Sequence, residues 1–285
     1  MLSTATKTVL AFTFLTLALP ASAAPVSAPH LAAHRAVYEL SLGRSEPRSG
    51  LNDVRGKLVV ELTGSDCDGW TSNMRVVNKL DGRTGKSSVL DTRSTSWESP
   101  QGDMMEFASQ RFTNGTQELD LRGQADMGDN GGTVRVELPA EATLELPPGT
   151  IFPVQHTRRI LDAAMHDQRR DRSVIYDGNE DQKVLTAVTF IGKRNAPDSL
   201  KLPGESDQIR QLVKLPSWPV SIGYFDDSKS EDGTGEQMPE HQVNFTMFEN
   251  AVAANLVLDY GDFTLKGDLV SLDYLPQETC AAAKQ

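Results

Sequence analysis

The chain has 285 residues, two cysteines and a formal net charge of −11 at pH 7. Nucleic acids and anionic lipid surfaces bind proteins through clustered Lys and Arg, so this acidic balance argues against both as general partners. About 260 residues remain after a predicted leader, which is enough to bury the core of one large domain.

The first 23 residues have the layout of a cleavable secretory signal peptide. Lys7 precedes an apolar run at 9–19, and the small residues Ala21, Ser22 and Ala23 follow it. This order predicts cleavage after Ala23. The apolar run is far shorter than the roughly 20 residues that a membrane-spanning helix needs, and no later segment approaches that length. We therefore expect an exported protein that does not span a membrane.

Apolar and polar residues alternate over short spans of the remaining chain, which is typical of half-buried β-strands. The clearest spans, in chain order, are VYELSL (37–42), ELDLR (118–122), TVRVEL (133–138) and QVNFTMF (242–248). The turn signals between such spans are Asp81-Gly82, Asn114-Gly115, Asn130-Gly131-Gly132, Asp177-Gly178 and Tyr260-Gly261-Asp262. Their spacing predicts an all-β fold, mainly antiparallel, built from successive hairpins. Since no linker or repeat divides it, residues 24–285 are predicted to form a single domain.

One segment near the middle of the chain follows helical spacing. The apolar residues that carry this spacing are Ile160, Leu161, Ala164 and Met165. Pro153 suits a first helical turn, so a single short-to-medium helix is predicted near 153–168. The basic residues at 158–172 are interleaved with aspartates, which favours a solvated helix face over the alternative of a docking patch.

No motif in the sequence assembles a catalytic, cofactor or metal site. The five histidines are His30, His34, His156, His166 and His241. None lies in an H-E-x-x-H arrangement or has a cysteine at zinc-ligand spacing. The first two lie near the expected mature N-terminus, where disorder is common, and surface or hydrogen-bonded structural roles are expected for the others. We therefore predict no catalytic residue, no cofactor and no metal.

The segment DMGDNGGTVRVE (126–137) resembles a calcium-binding loop in part. Its first, fifth, sixth and last positions fit such a loop, but Gly128 stands where an oxygen ligand belongs. The flanking sequences are strand-like, whereas a calcium loop of this type lies between two helices. A hairpin turn is therefore the predicted structure.

The two cysteines, Cys67 and Cys280, are predicted to form one disulfide. An exported chain with an even, minimal cysteine count is most simply explained in this way. Asp66 and Asp68 flank Cys67, and their negative charge disfavours the thiolate that a reactive cysteine needs. Two free thiols or an intermolecular bridge remain as alternatives. We expect the bond to hold together a sheet whose two ends are otherwise free edges.

The sequence resembles the EipB-type cell-envelope-integrity proteins of the Gram-negative periplasm. The resemblance lies in four segments that follow the family's order: CDGW (67–70), LPPGTIFPVQHT (146–157), WPVSIGYF (218–225) and ETC (278–280). It implies a β-spiral, an open barrel-like curved sheet in which Cys67 and Cys280 form the family's disulfide. It also implies a periplasmic role in envelope integrity and resistance to envelope stress, and it brings no catalytic residue.

Three hypotheses for function follow. The first is a non-enzymatic periplasmic scaffold that binds an envelope component or a periplasmic protein. The second is a carrier for a lipid or lipopeptide, because curved sheets can enclose apolar ligands. The residues that suggest such a ligand are Trp97, Met104, Met105 and Phe107, although ordinary core packing also explains them. The third is a hydrolase of envelope polymers that uses paired carboxylates.

Overall fold

A computed structural model describes residues 30–178, 182–229, 238–277 and 280. The predicted signal peptide, 1–23, lies outside the described residues. The strands are β1 (His34–Ser45), β2 (Leu51–Ser65), β3 (Gly69–Gly82), β4 (Ser87–Glu98), β5 (Met104–Thr113), β6 (Thr116–Gly128), β7 (Gly131–Leu138), β8 (Ala142–Leu146), β9 (Thr150–Ile151), β10 (Arg170–Ile175), β11 (Leu185–Ile191), β12 (Ser217–Phe225), β13 (His241–Phe248), β14 (Ala253–Asp259) and β15 (Phe263–Tyr274). The α-helices are α1 (Pro153–Met165) and α2 (Asp207–Leu212).

The fifteen strands of the described residues belong to one sheet that curls into a nearly closed barrel. The order runs from β8 through β1 to β15 and back to β9. Each neighbouring pair is antiparallel except β9 and β10, which are parallel. The two edge strands, β8 and β9, are consecutive in the chain, so residues 147–149 join them across a single seam. This architecture confirms the predicted mainly antiparallel, barrel-like curved sheet.

The four spans with alternating residues all lie in strands: β1, β6, β7 and β13. In β1 the alternation buries Ala36, Tyr38 and Leu40 on one face of the sheet, as a half-buried strand requires. Asn114 and Gly115 adopt left-handed φ values of 52° and 84° in the β5–β6 turn, which is the conformation that tight hairpins need.

Two of the predicted turns have different outcomes. Residues 126–137 form the β6–β7 hairpin, so the interpretation of this segment as a turn is confirmed. Asp177 and Gly178 do not form a tight hairpin turn, because they follow β10 and precede β11 by several residues, of which 179–181 lie outside the described chain. The segment between β12 and β13 begins with a short 3-10 turn at Asp227–Lys229 and is described only in part.

Helix α1 packs against β10 and β11. Its apolar face, which includes Ile160, Leu161 and Ala164, forms a core cluster with Trp218 and Val220 of β12. The helix ends at Met165, three residues before the predicted end, since Asp167 adopts a left-handed φ of 57° that a helix cannot continue.

The basic segment 158–172 is not a uniformly solvated helix face. Its first residue, Arg158, has a side chain that is only 23% exposed and pairs with Asp66. Arg159 pairs with Asp171, whereas the later arginines lie beyond the helix, in or next to β10. The prediction of a single solvated surface was therefore wrong for Arg158.

The sequence did not predict the second helix, α2. Its six residues span less than two turns, which is too short to show apolar periodicity. The Ser206 side chain accepts a hydrogen bond from the Ile209 N–H and caps the helix. Ile209 and Leu212 are buried in a cluster that includes Leu269 of β15.

Cys67 and Cys280 are joined by a disulfide with a Cα–Cα distance of 5.7 Å. Cys67 lies in the turn between β2 and β3, and Cys280 lies beyond the end of β15. The expectation that this bond holds free sheet edges was wrong. The edges are β8 and β9, whereas β15 pairs directly with β1 in the middle of the sheet. No described helix is both long and apolar enough to cross a membrane.

Candidate functional site

A cavity lies inside the curved sheet, around the first turns of α1. It consists of three adjoining compartments of about 290, 310 and 340 Å³. Pro153 borders all three of them. We call these three compartments together the α1 cavity. Its total size falls in the range of ordinary small-ligand sites.

The first compartment, which we call the apolar compartment, lies between α1 and the strands β1–β3, β13 and β14. His34, Leu62 and Ser72 are directly opposite one another on β1, β2 and β3, so all three share the inner face. Val243 and Phe245 of β13 complete much of the opposite wall. Most of the lining atoms are therefore carbon, and an apolar chain gains free energy by entering.

The second compartment, which we call the histidine compartment, extends along α1. His156, Asp177 and Tyr224 are among its lining residues. Burial lowers the pKa of His156 to about 4, although the charge of Asp171 acts in the opposite direction. The ring is therefore neutral at pH 7, and its Nε2 has no hydrogen-bond partner among the described residues.

The third compartment, which we call the hydroxyl compartment, faces β3, β4 and β5. Its wall carries the hydroxyl side chains Ser72, Thr92, Ser94, Ser96 and Ser109. Since Ser72 also lines the apolar compartment, the two compartments adjoin, and the lining of the α1 cavity becomes more polar from the apolar to the hydroxyl compartment. This gradient suits an amphiphile, a molecule with one apolar and one polar end.

Glu98 of β4 holds the start of α1 in place. Its carboxylate accepts hydrogen bonds from the N–H groups of Val154 at 2.8 Å and Gln155 at 3.3 Å. The residue at the N-cap position, Phe152, provides no side-chain cap, so a distant strand satisfies these two donors instead. Glu98 is 1% exposed, and this burial raises its pKa to about 7 despite the two backbone donors.

The β2–β3 hairpin, which carries Cys67, also contacts α1. Asp66 accepts a hydrogen bond from the Trp70 indole at 3.1 Å and pairs with Arg158 of α1. Partial burial raises the pKa of Asp66, but hydrogen bonds from Arg158 and Trp70 outweigh this and lower it overall. The side chains of Trp70 and Val154 belong to one buried cluster. The disulfide hairpin therefore helps to fix the helix that borders the cavity.

The turn GSDCDGW needs glycine at two positions. Gly64 and Gly69 have left-handed φ values of 120° and 84°. A Cβ on Gly69 would lie 2.3 Å from the carbonyl oxygen of Glu98, so no larger residue fits. The two glycines thus allow the hairpin end to approach β4, beside the residue that caps α1.

The residues that suggested a lipid carrier lie mostly outside the cavity. Met105 and Phe107 pack in a core cluster with Tyr176, and Phe107 also borders the hydroxyl compartment. Trp97 and Met104 line none of the three compartments. The ordinary core role is therefore the better interpretation of Met105 and Phe107, and other residues form the cavity.

The histidines also differ from expectation. His34 was expected in a disordered N-terminal segment, but it begins β1 and is only 5% exposed. His156 is buried rather than on the surface, and its Nε2 lacks a partner among the described residues. His166 lies at the surface beside Asp162, and His241 stacks on the Tyr224 ring at 4.5 Å.

The arrangement of acidic side chains bears on the hydrolase hypothesis. Among the described residues that line the α1 cavity, Asp177 is the one carboxylate. Paired-carboxylate hydrolysis needs two acids on opposite sides of the scissile bond. The described lining residues therefore do not supply such a pair. Within the described ranges, no three His, Cys, Asp or Glu side chains are grouped so as to hold a metal ion.

A larger concavity, of about 900 Å³, lies on the outer face of β1–β4. Its lining includes charged side chains of both signs, and four of them are in ion pairs: Arg55 with Asp53, Lys79 with Asp81, and Arg75 with Asp91. The α1 cavity is smaller but more enclosed, so it can remove more of a small ligand's surface from water. It is therefore the stronger candidate site.

Comparisons with known proteins agree with this fold. The model of a family described as EipB-like matches residues 25–276. A relative, the "Cell envelope integrity protein EipB" of Brucella abortus (strain 2308), is 34% identical over 254 residues, which cover 88% of this chain and 87% of the relative. The crystal structure of a β-barrel-like protein of a domain of unknown function, from Brucella abortus, matches with a TM-score of 0.79 and 32% identity. That match covers 87% of this chain and all of the other. This chain belongs to the EipB-like family.

Proposed function

We propose that this protein supports the integrity of the cell envelope by holding an aliphatic segment of an envelope component in the α1 cavity. The observation that supports an aliphatic ligand is the apolar compartment beside α1. Its walls include Val60, Leu62, Val243 and Phe245. The envelope role is supported by the name of the Brucella relative, which refers to cell envelope integrity. The proposed role is binding, without catalysis.

The predicted export signal supports a periplasmic location for this function. Cleavage after Ala23 would leave residues 24–285 as the mature protein, which we propose is a single domain. The continuous fifteen-stranded sheet supports this, because its first and last strands pair with each other. The gradient from carbon-lined to hydroxyl-lined compartments supports an amphiphilic ligand whose polar end lies towards β3–β5.

The proposal predicts that filling the cavity impairs the envelope. In a strain that lacks the gene, the Val243→Phe variant should fail to restore tolerance to detergents, because the larger ring occupies space shared by two compartments. Asn244→Phe is the matched control, since the next residue of β13 points to the opposite face. Growth on detergent plates, with equal periplasmic amounts of both variants, is the measurement.

Two outcomes would contradict the proposal. Full tolerance with Val243→Phe would show that the cavity does not serve the envelope function. Parental tolerance in the strain without the gene would remove the envelope role itself.

A further inference from the structure

The polar atoms of the apolar compartment are mainly hydrogen-bond acceptors. The Nδ1 atom of His34 lies 2.7 Å from the carbonyl oxygen of Ala32. A carbonyl oxygen only accepts, so Nδ1 carries the hydrogen and Nε2 of the neutral ring has a free lone pair. In the described part of the chain, no donor reaches this Nε2, although the His34 side chain lines the compartment and is 95% buried.

The neighbouring hydroxyl groups already use their hydrogens. Tyr38 donates to the carbonyl oxygen of Ala253 at 2.8 Å, and Thr157 donates to that of Pro153 at 2.9 Å. The hydroxyl oxygens of Tyr38 and Thr157 can each still accept a hydrogen bond. Ser72 is the remaining lining hydroxyl, and it can donate or accept. A hydrogen-bond donor that enters the compartment therefore finds acceptors, and among the described lining side chains His34 Nε2 is the acceptor without a partner.

The compartment has no charge to balance a ligand's charge. Among the described lining residues there is no Lys, Arg, Asp or Glu. Burial lowers the pKa of His34, although its bond to the Ala32 carbonyl acts in the opposite direction, so its ring is neutral at pH 7. A carboxylate or phosphate in this compartment would be buried without a counter-charge, which is costly.

We propose that the segment of ligand held here is an uncharged aliphatic chain that carries a hydroxyl group, and that His34 Nε2 accepts the hydrogen bond from it. This inference rests on the proposed function of the α1 cavity. It makes His34 a specificity-determining residue. A chain without a hydroxyl group would leave the buried acceptor unpaired, and binding sites reject ligands that do so.

The test is a competition assay with two isomeric probes, 1-decanol and 1-methoxynonane. Both are uncharged, and only the alcohol can donate a hydrogen bond. Each displaces the apolar dye N-phenyl-1-naphthylamine from the purified full-length mature protein. For each protein, the dissociation constant of 1-methoxynonane is divided by that of 1-decanol. The wild-type ratio is then divided by the His34→Phe ratio, which cancels the difference in intrinsic hydrophobicity between the two probes. We expect this quotient to favour the alcohol by about tenfold, the effect of one buried hydrogen bond.

The outcomes separate the inference from the proposed function. A selective loss of alcohol affinity in His34→Phe, partly recovered in His34→Gln, supports the inference. A quotient of one with both probes bound would overturn it and leave the cavity proposal standing. If neither probe displaces bound dye, or the dye itself does not bind, the cavity proposal fails and the inference fails with it.

A second measurement needs no variant and covers the case in which His34→Phe does not fold. The ¹⁵N chemical shift of His34 Nε2 in the wild-type protein saturated with 1-decanol should lie upfield of its value in the protein saturated with 1-methoxynonane, because a nitrogen lone pair that accepts a hydrogen bond is more shielded. Equal shifts in the two saturated complexes would overturn the inference.

Discussion

Replacing both cysteines, in the double variant Cys67→Ser and Cys280→Ser, is expected to lower the free energy of unfolding by up to about 5 kcal/mol. The bond joins residues that are 213 positions apart, and a cross-link over so long a loop removes much conformational entropy from the unfolded chain. The loss is large beside a typical net stability of about 5–15 kcal/mol. Urea denaturation of the oxidised protein and of the double variant measures it.

Reduced wild-type protein is the control for this prediction. Under reducing conditions the wild type and the double variant should unfold at the same urea concentration, because neither then has the cross-link. Equal midpoints for the oxidised wild type and the double variant would show that the bond adds no stability. The pairing itself is tested by a Cys67–Cys280 peptide in a non-reducing digest.

The second large effect is expected at Glu98. Glu98→Ala should lower the free energy of unfolding by about 2–4 kcal/mol, because the N–H groups of Val154 and Gln155 lose their acceptor in a buried place. The start of α1 would then be less well fixed against β4. Thermal or urea unfolding at pH 6 measures this loss, and Glu98→Gln, which retains an acceptor oxygen, should lose less.

The same carboxyl group makes stability depend on pH. Burial raises the pKa of Glu98 in the folded protein to about 7, above the value of 4.5 for an unperturbed glutamate. The folded state therefore binds the proton more tightly, and stability falls as the pH rises from about 4.5 to about 7. The expected fall is about 3 kcal/mol. Glu98→Gln cannot ionise, so its stability relative to wild type should rise across this window; a constant difference would contradict the assignment.

The strands could be predicted because their signal is local. In β1 and β13, apolar residues alternate with polar ones, and this pattern indicates which side chains face the interior. Asn114 with Gly115 indicates a tight turn. The helix at 153–165 has its own apolar spacing. In contrast, α2 is too short to show a period, and its single local signal is the cap at Ser206.

The candidate site could not be predicted, because it depends on contacts between distant parts of the chain. Glu98 resembles any other glutamate in the sequence, and only the curl of the sheet brings it to the start of α1. His34 looked like part of a mobile N-terminus. It is buried because β15, at the other end of the chain, pairs with β1. Closure of the sheet around α1 thus creates the cavity. No short sequence motif predicts this cavity.

Native mass spectrometry of the protein purified from its own cells tests the central claim most directly. If the α1 cavity holds an aliphatic segment of an envelope component, the wild type should carry an additional mass that dissociates as an amphiphile. Asn244→Phe should carry the same mass, whereas Val243→Phe, with its ring in the cavity, should be bare. Wild-type protein that is bare, or an adduct equally present on Val243→Phe, would contradict the account.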